Sequence, residues 1–355
     1  LSFSAYKNVS IFNNKRLIKT DTLTYNDNSE IMFLKNGGII KEEKRGLSGD
    51  KMSIQYEDSL IKKIDIYKNA QAWDDIERKI SANDIAIYKF RNEMKSKHIS
   101  INFKENKIQR MNLFNMSETK YHIAEDSLLM GINHTSGDTI IISFEDNKLS
   151  KIQVIGGGEG KFVPEENNAK VDTTINYKSN YINHMIEEGK TELLENSYVK
   201  YQDTKLNAGS IWVSWEENIL NAFEYKNIYP NIHSGDTEPL TGSDMTFDLI
   251  SKHGRINKGI TEYNDGYYHG DKIFRDEPNI FHVEKSKYTS CELENPHYHF
   301  SSNKMKLIGN DRVIAKPLIL HIYDIPIVGI PFAVLPNKGG KRHSGWIMPS
   351  FGTRK

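Results

Sequence analysis

The sequence offers few residue groups with the spacing of a metal-binding or reactive site. His297 and His299 alternate on one face of a predicted strand, and such a His-x-His pair can hold zinc. Cys291 is close in sequence, and His282 or Glu294 would supply a third ligand. Because surface histidines are common and no second tight motif accompanies these residues, the pattern favours no metal site.

Paired carboxylates are the other chemical candidate. Glu292 and Glu294, or Asp74 and Asp75, could serve as the two acids of a glycosidase. Acidic doublets in this chain fall at predicted turns, where solvated charge is the expected content. The sequence also has no phosphate-binding glycine loop, serine elbow or Cys-x-x-Cys. We therefore expect no catalytic residue and no cofactor, and keep a β-solenoid carbohydrate-active enzyme or a structural scaffold as alternatives.

Composition restricts the class of protein further. The 355 residues carry 47 basic and 47 acidic side chains, a net charge of +0 that argues against nucleic acid as a partner. Hydrophobic residues make up 37%, which suits a thin sheet with one solvated face better than a compact core. No apolar stretch reaches the ~18 residues of a membrane helix. Cys291 is the single cysteine, so this chain can form no internal disulfide.

A repeated hairpin pattern organises the chain. An apolar-x-aromatic strand, a polar turn and a second alternating strand occur around Ile101–Phe103 and again 41 residues later, around Ile142–Phe144. The same template fits Ile54–Tyr56 and Val213–Trp215. Alternation of this kind marks half-buried strands. Such hairpins must stack, because one unit cannot bury its apolar face alone.

The strand pieces extend through most of the chain. They include Ile31–Leu34, Met111–Phe114 and Ile152–Ile155, the last broken by Gly156-Gly157-Gly158. Asn183–Leu194 is predicted to be two strands with a turn near Glu188-Gly189, and Tyr229–Ser243 to be a loop. Polar residues 164–174 predict a boundary, which gives repeats over 1–164, a second β-domain over 165–324 and a proline-rich junction over 325–355.

The inward members of the repeat are candidates for contact with a lipid. A lipid tail in water costs about 0.8 kcal/mol per exposed CH₂, so a carrier needs continuous apolar cover. A sheet with one apolar face, curled on itself, would provide it. The residue pattern alone does not separate such a groove from a dry core. The predicted lining residues are Ile54, Tyr56, Ile101, Phe103, Ile142, Phe144, Val213, Trp215, Met245 and Phe247.

Five stretches resemble one known family. Asn176–Ala222 resembles the OstA-type strand repeat, and Gly254–Ile256, Tyr267–Gly270 and Lys287–Cys291 resemble the region before the barrel of LptD, the outer-membrane lipopolysaccharide-assembly family. The most specific likeness is Ile325–Gly352, with Pro326, Pro331 and Pro336 followed by Arg342-His343-Ser344-Gly345. Residues 1–164 are similar only to generic OstA-type repeats.

The resemblance implies a fold and a function. The expected fold is all-β, an OstA-like open twisted β-jellyroll of stacked hairpins on the periplasmic face of the cell outer membrane. It would shield the acyl chains of lipopolysaccharide and pass the lipid to an outer-membrane β-barrel outside this chain. The implied partners are lipopolysaccharide, a periplasmic bridge protein with the same jellyroll, which would meet the edge strand around Ser2–Phe12, and an outer-membrane lipoprotein plug.

The resemblance also assigns roles near the end of the chain. Its barrel junction corresponds to Pro326, Pro331, Pro336, Arg342, Ser344 and Gly345. Prolines there would weaken sheet hydrogen bonding and permit a lateral exit for lipid. Cys291 would be the one available member of an inter-domain disulfide. The chain departs from the family at Ile327–Ile330, where an aromatic residue is often found.

Overall fold

The computed structural model describes residues 2–13, 16–81, 86–125, 128–146, 148–166, 171–235, 238–263, 266–277, 280–293, 295–308 and 312–336. These residues form antiparallel strands, and no helix occurs among them. The predicted all-β class of stacked hairpins is therefore confirmed. In the same described ranges, no helix has the length and apolarity of a membrane span.

The chain divides into two compact units. Unit 1 comprises Leu1–Thr237 with Asp248–Ile250, and unit 2 comprises Glu238–Phe247 with Ser251–Lys355. The boundaries predicted at residues 164 and 324 rest on family resemblance and composition and not on compactness, and they stay predictions.

Unit 1 contains fourteen of the named strands. They are β1 (Ser2–Asn13), β2 (Arg16–Asn26), β3 (Ile31–Glu42), β4 (Arg45–Glu57), β5 (Leu60–Arg78), β6 (Tyr88–Lys104), β7 (Lys107–Glu125), β8 (Leu128–Glu145), β9 (Lys148–Pro164), β10 (Ile175–Met185), β11 (Lys190–Tyr201), β12 (Thr204–Ser214), β13 (Ile219–Phe223) and β14 (Asn231–Ser234). Consecutive strands from β1 to β13 pair antiparallel, and β14 pairs with the first half of β12.

Unit 2 has shorter and more branched strands. They are β15 (Leu240–Thr241), β16 (Asp244–Asp248), β17 (Gly254–Tyr263), β18 (Gly266–Glu277), β19 (Ile280–Thr289), β20 (Tyr298–Ile308), β21 (Arg312–Lys316), β22 (Leu318–Ile322), β23 (Ile325–Ile330) and β24 (Ala333–Pro336). β17 to β20 form a meander, and the two halves of β20 pair with different strands, β21 and β22.

The structure confirms some of the local predictions and corrects another. The repeated hairpins are confirmed as β6–β7 and β8–β9, and the turn near Glu188-Gly189 is confirmed between β10 and β11. The loop predicted over Tyr229–Ser243 was wrong in part, because it contains β14 and β15. These strands are too short for a periodic apolar signal, and prolines and glycines surround them.

The strands are much longer than the predicted pieces, because mid-strand bulges look like breaks in the sequence. β9 runs through the three glycines that were expected to end it, with φ of +82° at Gly156 and +62° at Gly157. Two residues with positive φ occur within each odd-numbered strand from β1 to β11. These pairs are Lys7-Asn8, Asn36-Gly37, Lys68-Asn69, Asn115-Met116, Gly156-Gly157 and Glu195-Asn196. Each pair coincides with a register shift, which bends a strand.

The bend brings the two halves of a strand face to face. On β10 the rings of Tyr177 and His184 lie 5.9 Å apart, centroid to centroid. Seven residues of straight strand would separate them by about 23 Å. Side-chain space at the bend is limited: a Cβ on Gly158 would lie 2.7 Å from Ile182 Cδ1. Both halves therefore contribute side chains to one interior.

Candidate functional site

The interior of unit 1 is organised as rows of side chains that run from strand to strand in register. The first row begins at Met32 and continues as Ile54, Ile64, Ile101, Met111, Ile142, Ile152, His184, Thr191, Val213 and Leu220. Ile54, Ile101, Ile142 and Val213, all predicted to line the interior, share this row and are buried. The pattern that selected them thus places them together.

A second row lies next to the first and is more deeply buried. Its twelve members are at most 2% exposed: Leu23, Leu34, Met52, Ile66, Ile99, Leu113, Ile140, Val154, Ile182, Leu193, Ile211 and Ala222. Strands about 4.8 Å apart give this row a length of about 50 Å. Burial of one such aliphatic side chain stabilises the fold by about 1.5–3 kcal/mol. The lining residues predicted from the sequence do not include this row. Its members lie two residues from those of the first row on each strand, so they follow the same alternation.

The predicted aromatic residues occupy a different position. Tyr56, Phe103, Phe144 and Trp215 stand two residues beyond the first row, near the strand ends, and are half-buried. We call these four residues the aromatic rim. In unit 2, Met245 is buried in register with Ile256, whereas Phe247 is half-buried opposite Gly254. The predicted lining set therefore combines sealed aliphatic residues with partly accessible aromatic ones.

A third row comes from the other halves of the bent strands. Ile18, Ile40, Leu47, Ala72 and Met94 continue into Thr119, Thr135, Gly160 and Tyr177, and then into Val199, Leu206 and Ile232. The middle of this row is polar. The Tyr177 hydroxyl lies 2.8 Å from Asn133 Oδ1 and 3.1 Å from Thr135 Oγ1. Burial raises the pKa of this phenol, so it stays protonated.

His184 and Thr191, the polar residues of the first row, lie opposite the polar middle of the third row. Trp215 Nε1 donates to Thr191 Oγ1 at 2.9 Å, and the same hydroxyl lies 3.0 Å from His184 Nδ1. Burial lowers the pKa of the His184 imidazole to about 4, which keeps it neutral at pH 7. His184 Nε2 is buried without a hydrogen-bond partner in the described part of the chain. The first and second rows are thus apolar from β3 to β9, and buried polar groups occur around His184 and Tyr177 and at the Asn92–His122 pair.

Unit 2 has a thinner interior. One buried row passes from Met245 through Ile256, Ile273, Val283 and Met305 to Ala315 and Ala333. Its neighbouring row contains Phe247, Gly254, Arg275, Phe281, Leu307, Val313 and Leu335. Burial lowers the pKa of Arg275, and its Nε has no hydrogen-bond partner within the described ranges.

The proline-rich segment exposes apolar side chains. All six residues of β23 are exposed, with Ile325 at 63% and Val328 at 58%. Pro326 lies within β23, Pro331 follows it, and Pro336 pairs through its backbone position with Arg312. An exposed apolar surface of this kind is typical of an interaction site. The predicted junction residues Arg342, Ser344 and Gly345 lie outside the described residues.

The candidates for metal binding and catalysis have other partners. His299 is buried and stacks on His321 at 4.6 Å, whereas His297 lies 3.6 Å from the Cys291 sulfur. No group of three His, Cys, Asp or Glu side chains converges in the described ranges, which exclude Glu294. Asp74 and Asp75 form surface ion pairs with Arg45 and Arg91. The turn predicted at this doublet was wrong, because both residues lie within β5, where they are surface charge of the sheet.

A comparison with protein families matches the C-terminal part of the chain. The family model described as LptD protein matches residues 313–355. This segment is similar to LptD proteins. The match confirms the predicted resemblance to LptD/OstA-type proteins, and it begins inside β21. LptD-type proteins are transport components and not enzymes, which agrees with the prediction of no catalysis.

One solved structure is also similar. It is LptH, described as the LptA homologous periplasmic component of the lipopolysaccharide transport device from Pseudomonas aeruginosa. The identity is 10%, the alignment covers 41% of this chain and 94% of that chain, and the TM-score is 0.32. A search of the curated proteins found no match.

Proposed function

We propose that this chain is the periplasmic part of an outer-membrane protein of lipopolysaccharide transport, and that the interior of unit 1 shields acyl chains. The observation that carries the proposal is the continuity of the first row from β3 to β13 and of the second row from β2 to β13, together with the LptD-like segment at 313–355. A closed globular core needs no such strand-by-strand repetition, whereas an elongated ligand needs apolar cover along its whole path.

The aromatic rim provides the access that buried rows alone lack. Phe103 and Trp215 are half-buried at the edge of the interior, so an acyl chain could first contact the rim and then separate the two halves of the bent strands. The mid-strand bulges are the points at which such a separation would pivot, because two backbone residues there lie outside the regular ladder.

The exposed strand β23 supports the transfer step of the proposal. It is apolar, interrupted by Pro326, and part of the segment that matches the LptD family. Proline removes a backbone donor, so this strand can form only an incomplete ladder with a further strand. We propose that the lipid leaves along this segment toward a barrel. The lipoprotein plug and a disulfide at Cys291 remain proposals that rest on the resemblance.

The other end of unit 1 presents an edge for a bridge protein. β1 pairs with β2 alone among the described strands, and Phe3, Tyr6 and Phe12 are exposed along it. An unpaired edge with apolar side chains invites a strand from another sheet. We propose that a jellyroll of the same kind adds its own edge strand here.

Photo-crosslinking tests the shielding function directly. A photoreactive amino acid at Phe103 or Trp215 should crosslink to lipopolysaccharide in cells. Matched positions on the same strands, Lys104 and Trp212, have side chains on the outer face and should give background yield. Equal yields from both faces would contradict an internal path. Cleavage of a polysaccharide that is abolished by Asp75→Asn would instead support the enzyme alternative.

A further inference from the structure

His184 is the strongest unexplained feature of the unit 1 interior. It lies in the first row between Ile152 and Thr191, where the other strands from β3 to β9 contribute isoleucine or methionine. A buried polar group without a partner costs free energy. The position therefore calls for a partner atom that the chain itself does not supply in the described ranges.

The hydrogen bonds around His184 favour the tautomer with the proton on Nε2. The indole Nε1–H of Trp215 can only donate, so Thr191 Oγ1 accepts from it. The Thr191 hydroxyl keeps its own proton to donate, and His184 Nδ1 is the acceptor within reach at 3.0 Å. Nδ1 thus uses its lone pair, and the proton of the neutral ring is on Nε2. The buried Nε2–H is a donor without an acceptor.

The surroundings define what the acceptor can be. The ring of Tyr177 packs edge-on against His184, and the Tyr177 hydroxyl is already bonded to Asn133 and Thr135. An anion would face no paired cation at this place, because the imidazole is neutral. A neutral oxygen carried on an otherwise apolar chain fits both the donor and the apolar rows beside it.

We propose that His184, held by Thr191 and Trp215, is a hydrogen-bonding site for a neutral oxygen on a bound acyl chain, such as a β-hydroxyl or an ester carbonyl. The inference rests on the proposed function, since it presumes that acyl chains enter unit 1. This hydrogen bond would make the interior selective. Its affinity for an acyl chain that carries such an oxygen would be higher than its affinity for a plain acyl chain of equal length. Thr191 and Trp215 are positioning residues for this hydrogen bond, because they orient the imidazole through the Thr191 hydroxyl.

Binding of β-hydroxymyristate and myristate to the full chain tests this inference. Both probes have the same length and carboxylate, so their affinity ratio isolates the hydroxyl. One hydrogen bond to a buried, otherwise unsatisfied donor should give the wild-type chain a preference of about three- to tenfold for the hydroxylated probe. His184→Phe should bind both probes with the lower affinity, whereas His134→Phe, on the exposed face, should retain the preference.

A measurement on the unmodified chain guards against a variant that fails to fold. Imidazole ¹⁵N NMR should show His184 as the Nε2–H tautomer, and β-hydroxymyristate should shift the Nε2 resonance while myristate does not. Thr191→Val should allow the other tautomer and weaken the preference. Equal affinity of the wild-type chain for both probes would overturn the selectivity while leaving the lipid carrier intact. Failure of both probes to bind would overturn the carrier and the site together.

Discussion

Unit 1 and unit 2 use the same alternation of inward and outward residues and reach different interiors. In unit 1 the second row is at most 2% exposed over twelve strands, whereas the corresponding row of unit 2 reaches 8% at Ile273 and 9% at Ile256. Bent strands of 12 to 19 residues in unit 1 have inward rows on both sides of the bend. The strands of unit 2 have at most 12 residues. Strand length alone does not explain the contrast, because β10 has 11 residues and its Ile182 is fully buried.

The polar residues inside the two units differ in kind. Unit 1 holds neutral polar groups beside its apolar rows, among them His184, Tyr177 and the Asn92–His122 pair. Unit 2 places Arg275 in an inward row, and its β23 exposes apolar side chains. A neutral interior suits the retention of acyl chains, and a thinner one with exposed apolar strands suits their release. The following predictions test that contrast.

Truncation of a buried isoleucine should have the largest effect. Ile182→Ala in unit 1 should lower the free energy of unfolding by about 2–5 kcal/mol. The loss should lie near the upper end of this range, because the removed side chain is fully buried and leaves a cavity. For Ile273→Ala in unit 2 the loss should lie near the lower end of the range. Hydrogen exchange during denaturant unfolding, followed separately for the amides of each unit, gives the two free-energy losses. Equal losses would show that the two interiors are packed alike.

Acid should weaken unit 1 through His184. Its pKa is about 4 in the folded state and about 6.5 in the unfolded chain, so between these values the unfolded state binds more protons. Stability is therefore complete above pH 6.5 and falls as the pH is lowered to 4, by at most about 3 kcal/mol. His184→Phe should reduce this slope without abolishing it, because burial also lowers the pKa of His122 to about 4. An unchanged slope would exclude His184 as its source.

Glycine substitution should distinguish one crowded site in unit 1 from one open site in unit 2. A Cβ on Gly160 would lie 2.1 Å from Tyr177 Cε2, so Gly160→Ala should cost about 1–3 kcal/mol. A Cβ on Gly254 of unit 2 would meet Phe247 at 3.5 Å, an ordinary contact, and Gly254→Ala should be nearly neutral. Thermal unfolding of both variants measures the difference. A costly Gly254→Ala would contradict the open space beside Phe247.

Surface ion pairs should contribute least. Arg91 contacts both oxygens of Asp75 at 2.6 and 3.0 Å, and the bond holds the pKa of that carboxyl below its usual range. Arg91→Gln should cost less than about 1 kcal/mol, and Lys285→Gln in unit 2, 3.5 Å from Asp271, should cost nothing measurable. Both effects should disappear in high salt. A larger cost would mean that Arg91 acts through its packing on Trp73.

Sequence reasoning found the repeat, the fold class and the two-residue alternation, because each depends on local periodicity. It missed the length of the strands, because the positive-φ pairs with Asn or Gly look like turns. The pair Gly156-Gly157 illustrates this: local chemistry alone indicates a break, and only pairing with neighbouring strands keeps β9 continuous. The role of His184 was also hidden, since its row becomes visible only once the register is known.

The methyl groups of the second row give the most direct test of lipid shielding. Addition of lipopolysaccharide to the isotopically labelled chain should shift the methyl NMR signals of Ile99, Ile140 and Ile182, which have no access to solvent in the free chain. The outward Ile39 and Ile155 serve as internal controls and should not move. The account predicts shifts confined to the inward isoleucines. Shifts confined to the outward isoleucines, or none at all under saturating lipid, would contradict it.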